Sequence, residues 1–409
     1  MTEQTRHAAP EEKTVVVLGP PQTMVEGPKW FSPPAMQVDR SGKIYLAWIE
    51  KEKEEINREV RSVYLLRTSR SKEITEKPTL VNRPEDAPDA MHQAPGLALG
   101  LDGEVYLTWS TPKSANKRVF DSDLRLARSL DGGNGFEPPI VVNDDGLAVS
   151  NGFENVTVDT EGTVYMSWIA GQGNEHKGKM LFARSKDQGK TASKNLEVDG
   201  MACPCCRTMV ATAPGGDVFI GWRKTFEGSI RDVVMARSED KGLTFSSPSL
   251  VHEDGWVFPA CPHRGPSIGF DQKGRLYVTW YTEGTNGQPH IYFATSDDQG
   301  KTFSQPISLQ ASTTSVLEQS KMAVNSDGAV FVVWEEVTGR GSRVALRYSL
   351  DSGATFSPMQ ILSEGAISNP IVAVNEAGRV AFAWNESGIR GKIIIQSGTV
   401  PRLKRKEGP

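Results

Sequence analysis

The chain has 409 residues, enough to bury a large core in one to three domains. Its net charge is −4 and 23% of its residues are charged, with both signs mixed, which argues against a nucleic-acid partner, since that needs a basic face. Glycine (39) and proline (25) are plentiful and helix formers do not dominate, the composition of a turn-rich β protein.

The chain opens on MTEQTRHAAPEEKT, which is polar and carries no apolar signal region. Residues 1–12 are expected to be a disordered N-terminal segment, residues 13–401 a single domain, and residues 402–409 a basic disordered tail. No run of eighteen apolar residues occurs, so no transmembrane segment is expected.

From residue 39 onward one pattern recurs. A turn with Asp, Asn or Gly leads into an alternating apolar strand that ends in tryptophan: DRSGKIYLAW, GLDGEVYLTW, DTEGTVYMSW, APGGDVFIGW, DQKGRLYVTW, NSDGAVFVVW and NEAGRVAFAW. The tryptophans are Trp48, Trp109, Trp168, Trp222, Trp280, Trp334 and Trp384, seven of the nine in the chain. After most of these strands comes a second motif: SLDGGNGF, SKDQGKTA, SEDKGLTF, SDDQGKTF and SLDSGATF. It reads as a hairpin turn in which Asp accepts backbone N–H groups, Gly takes positive φ and an aromatic ring covers the turn.

These turns resemble the Asp-boxes, or BNR repeats, of the sialidase-like β-propeller superfamily, and the resemblance runs from about residue 14 to 400. It implies an all-β fold: a seven-bladed β-propeller with Asp-box turns, with six blades as the alternative. The last repeat lacks a strand, which KTVVVLG near the N-terminus can supply, closing the ring and removing exposed edges. The resemblance also implies a periplasmic or secreted protein, with no signal peptide visible in this chain and a cytoplasmic location as the alternative. In such a fold the strand before each Asp/Gly turn lines the channel, and ligands bind at one mouth.

Counting seventeen residues back from each tryptophan gives Phe31, His92, Asn151, Cys205, His263, Leu317 and Ile367. The register aligns CPCCR with CPHRG, so Cys203 pairs with Cys261, Cys205 with His263 and Cys206 with Arg264. All four cysteines of the chain thus fall in two matching stretches. Thiolates plus imidazole suit a soft ion such as copper or zinc, held by Cys203, Cys205, Cys206, Cys261 and His263. Disulfides are the other reading: Cys203–Cys261 as a staple, and Cys205–Cys206 as a strained vicinal bridge. Buried reduced thiols are a third.

In the resembling family, hydrolases clamp a carboxylate with arginines. Arg207 and Arg264 fall on channel strands here and suit a bidentate clamp, with Glu154 and Glu318 as channel carboxylates for an exo-α-sialidase-type glycoside hydrolase. The first channel strand, KWFSPPAMQV, lacks the arginine that sialidases carry there. A small-molecule, glycan or protein ligand at the mouth, met by Trp30, His92 and Asn151, is therefore expected in preference to sialoside hydrolysis.

Overall fold

The computed structural model describes residues 16–53, 59–68, 76–88, 93–113, 121–146, 149–171 and 177–400. The expected disordered ends and His92 lie outside these residues. The described residues are all-β. Apart from two single 3-10 turns, Pro84–Asp86 and Glu227–Ser229, every regular element is a strand.

The strands form six antiparallel sheets. One sheet has eight strands, but its two halves meet only where Ala202 pairs with Lys224. In each repeat the tryptophan-bearing strand is the second of four, as in Met209–Thr212, Val218–Thr225, Arg231–Ser238 and Ser249–Leu250. The second strands are flanked on both sides and buried on both faces, so they read as near-continuous apolar runs. Their seven tryptophans are each 1% exposed or less.

The first strands are Ala35–Val38, Gly96–Leu99, Ser150–Val158, Met209–Thr212, Ser267–Phe270, Lys321–Val324 and Ile367–Val374. Each touches the next in chain order, and the last returns to the first. In five of the seven, the turn that follows is set by one side chain. Asp39, Asp159, Asp271, Asn325 and Asn375 each accept the N–H four residues on, at 2.8–3.0 Å. The last sheet is completed from the other end of the chain: Val17–Leu18, within the expected KTVVVLG, and Gln22–Gly27, beyond it, both pair with Gly391–Thr399.

The five Ser-x-Asp-x-Gly turns join third and fourth strands. In SEDKGLTF, Asp240 accepts the Ser238 hydroxyl (2.7 Å), the N–H groups of Leu243 and Thr244 (both 2.9 Å) and the Thr244 hydroxyl (2.6 Å). Asp187, Asp298 and Asp351 repeat the pattern. The aromatic of the motif also reaches the neighbouring unit, Phe245 lying edge-on to Phe182 and Phe356 to Phe293, both at 4.9 Å. Because strand direction alternates, these turns sit at the end where first strands finish. The lead-ins to the first strands, CPCC among them, lie at the opposite end.

Candidate metal centre

The expected register holds where the lead-in stays in its sheet. Phe31, Asn151, Leu317 and Ile367 each pair with the residue two beyond the tryptophan: Glu50, Ala170, Glu336 and Glu386. It breaks in the two cysteine-bearing repeats. Prolines at 204, 262 and 266 have no N–H to give a ladder, so the chain there turns instead.

Around Pro204 the break makes a site. The Cys203 N–H donates to Arg223 O (2.8 Å), fixing the entry. Pro204 takes the second position of a tight turn, which it favours, and the Cys206 N–H points back at Cys203 O (3.5 Å). The turn folds three side chains onto one another. Cys203 and Cys206 Sγ are 3.0 Å apart, Cys203 and Cys205 Sγ 3.7 Å, and the three sulfurs lie within 4.8 Å of one another. All three are buried. Phe153 packs against them.

Two corrections follow. None of the four cysteines is in a disulfide, so neither a Cys203–Cys261 staple nor a vicinal Cys205–Cys206 bridge is present. Cys261 is exposed and outside the cluster. The cause is local. The segment carrying Cys261 leaves its sheet at Pro262, and His263 takes φ 56°. His263 is exposed, with its ring 6.0 Å from that of Phe153.

Sequence reasoning missed the charges behind the thiols. Arg223 and Arg231 are 1% and 2% exposed. Arg223 donates to Arg264 O (2.8 Å), Arg231 O and Tyr281 O (2.6 Å), and lies over the Trp256 ring at 4.8 Å. Arg231 donates to Phe258 O and to Thr225 Oγ1. Among the described residues neither guanidinium has a carboxylate within ion-pair distance. A buried cation needs a nearby anion. Hydrogen bonds from Cys205 and Cys206 hold Cys203 well below the usual thiol range against burial, with Arg231 adding its charge. The hydrogen bond to Cys203 pushes Cys205 up, and burial pushes Cys206 up, with Arg223 opposing. The signal was present in VFIGWRKT, where an arginine follows the buried tryptophan.

The other expected site residues are scattered around this turn. Arg207 donates to Ala94 O (3.0 Å); burial draws it below its usual range, opposed by the charge of Glu154, which is 2% exposed. Arg264 pairs with Glu318 (3.0 Å) and lies 4.3 Å over Tyr281. Tyr281 in turn donates to Glu283 (2.7 Å). Asn151 is wholly buried and used by the fold: it donates to Ser122 O and accepts from Trp168 Nε1. Trp30 lines a separate cavity shared with the last sheet. Lys321, which the sequence did not single out, begins a first strand, and burial next to Arg207 draws its ammonium down to about 7.

No family model matches the chain, and no curated protein does. Solved structures do. A protein of unknown function from Dyadobacter fermentans DSM 18053 aligns over 93% of this chain and 99% of its own, with TM-score 0.55 and 14% identity. A Hadza microbial sialidase covers 87% of this chain and 77% of its own, with TM-score 0.52 and 16% identity. A PL25 ulvan lyase covers 91% and 94%, with TM-score 0.52 and 11% identity. At these identities what is shared is the fold: the chain is an all-β protein of sialidase-like architecture.

Proposed function

We propose that the chain is a seven-bladed, sialidase-like propeller that binds a soft metal ion through Cys203, Cys205 and Cys206. The observation that carries this reading is the buried meeting of three sulfurs within 4.8 Å, backed by two buried guanidiniums with no carboxylate at ion-pair distance among the described residues, the buried Asp232 standing farther off in electrostatic range of Arg223. Three thiolates and one Cu(I) carry two net negative charges, which the buried Arg223 and Arg231 attract. Zinc in a closed structural site takes four protein ligands, and the turn supplies three. Copper(I), a thiolate-seeking ion at home with low coordination, fits better. The seven-blade reading draws support from the seven four-stranded units and their cyclic first-strand contacts. A place in the periplasm or outside the cell belongs to the same proposal.

A second reading, exo-sialidase-type hydrolysis, draws support from Arg264 over the Tyr281–Glu283 pair. Tyr281 is 2% exposed, however, and burial pushes its hydroxyl up, the reverse of what a phenolate nucleophile needs. Arg264 is already engaged by Glu318.

The deciding experiment is anaerobic Cu(I) titration of the reduced protein against a chromogenic Cu(I) chelator. One equivalent held against the chelator, and lost in Cys203→Ser, is expected. Equal retention by the parent and a Cys203→Ser/Cys206→Ser double variant would overturn the reading. Turnover of a fluorogenic sialoside, abolished by Arg264→Ala, would put the hydrolase in its place.

A further inference from the structure

A buried metal site needs a way in. The three thiols are sealed to different degrees: Cys203 and Cys206 are 0% and 1% exposed, Cys205 6%. Cys205 is therefore the sulfur that an incoming ion meets first. Phe153, half-buried, packs against the cluster. Its backbone puts it there. The strand slips register between Gly152 and Asn155, and Phe153 takes φ 58°, a conformation rare for a bulky side chain. The strain is held at both ends of the residue: the Phe153 N–H donates to Gln93 Oε1 (2.9 Å), and its carbonyl accepts the Thr208 N–H (3.1 Å).

The outer neighbour of this ring is His263, exposed, at φ 56°, with the two rings 6.0 Å apart. The residues after it are fastened to the thiol turn. Arg264 O accepts from Arg223 Nε (2.8 Å), and Gly265 comes so close that a Cβ there would lie 2.0 Å from Arg207 O. The segment cannot carry the imidazole away. Exposed imidazole, half-buried phenyl ring and buried sulfur thus follow one another from solvent inward. His263 stays outside the set of donor atoms that meet within 4.8 Å, so it is no resident ligand.

We infer that His263 is the entry ligand of the cluster, a first and transient donor that hands Cu(I) to Cys205 past Phe153. This rests on the metal reading. Imidazole is a competent donor to copper, and thiolate a stronger one for Cu(I), so the hand-off runs inward. The copper stays Cu(I): one Cu–N bond breaks as one Cu–S bond forms, and the Cys205 thiol proton passes to water. Phe153 keeps water from the loaded site.

The test is stopped-flow transfer of Cu(I) from its bicinchoninate complex to the reduced full chain without oxygen, and the reverse transfer to excess chelator. An entry ligand lowers one barrier that both directions cross. His263→Leu should therefore slow uptake and release together by about tenfold or more, with their ratio held. His263→Met, which returns a soft donor without the ring, should recover most of the rate. Phe153→Ala should speed both directions. Parent rates in His263→Leu, equal rates in His263→Leu and His263→Met, or a fall in equilibrium affinity that matches the fall in uptake would each overturn the entry role. A parent that takes no Cu(I) from the complex removes the metal reading and this inference together, whereas a parent that loads normally beside an unslowed His263→Leu removes this inference alone.

Discussion

At the scale of single residues, buried charge is the most informative feature of this molecule. Four cations crowd the lead-in end: the buried Arg223 and Arg231 behind the thiols, and the half-buried Lys321 and Arg207 beside each other. The arginines have a function in the metal reading. Replacing either Cys203 or Cys206 by serine removes one of three ligands and should weaken Cu(I) binding about a hundredfold or more, read by chelator competition. Retained affinity would mean that sulfur does not hold the ion. Lys321 makes a different prediction. Burial, aided by Arg207, takes its ammonium from 10.5 to about 7. Between those values the folded chain binds fewer protons than the unfolded one, so this lysine makes stability rise with pH across that window. Lys321→Met should therefore be more stable than the parent at pH 7 and should lack that rise. Urea midpoints of the two proteins from pH 7 to 10 check this; parallel curves would show that Lys321 titrates normally.

At the scale of elements, the repeated turns fasten each unit and help join it to its neighbour. Hydrogen bonds from the Thr302 hydroxyl and N–H and from Ser296 hold Asp298 down to about 2; Asp240 is held low in the same way by Thr244 and Ser238. A carboxylate with a depressed folded pKa stabilises fully above its unfolded value of 3.8, and that contribution is lost as pH falls through about 2. Both groups are exposed and screened, so each contribution is small. Asp298→Asn should flatten the acid limb between about pH 4 and 2 in circular-dichroism titrations, and an unchanged limb would remove this account. The glycines of the same turns are under stricter control. Gly353 has φ 82°, and a Cβ there would lie 2.6 Å from the Phe293 ring. Gly353→Ala combines left-handed strain with overpacking and should cost about 2–4 kcal/mol in chemical denaturation. A loss under ~0.5 kcal/mol would mean that the ring moves aside freely.

At the scale of the whole molecule, the repeat was legible because its causes are local. Alternation, a turn acid and a glycine recur within each unit, so the seven tryptophan strands and five acidic turns could be read off in order. The candidate metal site was only half legible. Its three thiols are adjacent in sequence, but Arg223, Arg231 and Phe153 arrive from other strands, and the prolines that broke the register also carried Cys261 away. The pairing of an N-terminal strand with the last sheet was legible from a missing strand, and it carries the last prediction. The free edge of the last sheet is Gly391–Thr399, and it is covered only by Val17–Leu18 and Gln22–Gly27. Further ties cross the same seam: Gln396 donates to Gly19 O (2.9 Å), Asn385 to Phe31 O, and Asn375 to Asp39 O (2.8 Å). The core is continuous there as well, with Leu46 and Trp48 packed in one cluster with Ala381 and Ile393. Deleting residues 1–27 removes the covering strands and the Gln396–Gly19 tie, and leaves the Asn385–Phe31 and Asn375–Asp39 ties in place. It exposes a nine-residue edge rich in isoleucine, KIIIQ, to other chains. The truncated chain should melt roughly 10 °C or more below the parent and should elute as oligomers in size exclusion with light scattering. Adding back a synthetic peptide of residues 13–27 should restore part of both properties by refilling the edge. A truncated chain that stays monomeric and melts with the parent would show that the first–last core contact alone holds those two units together.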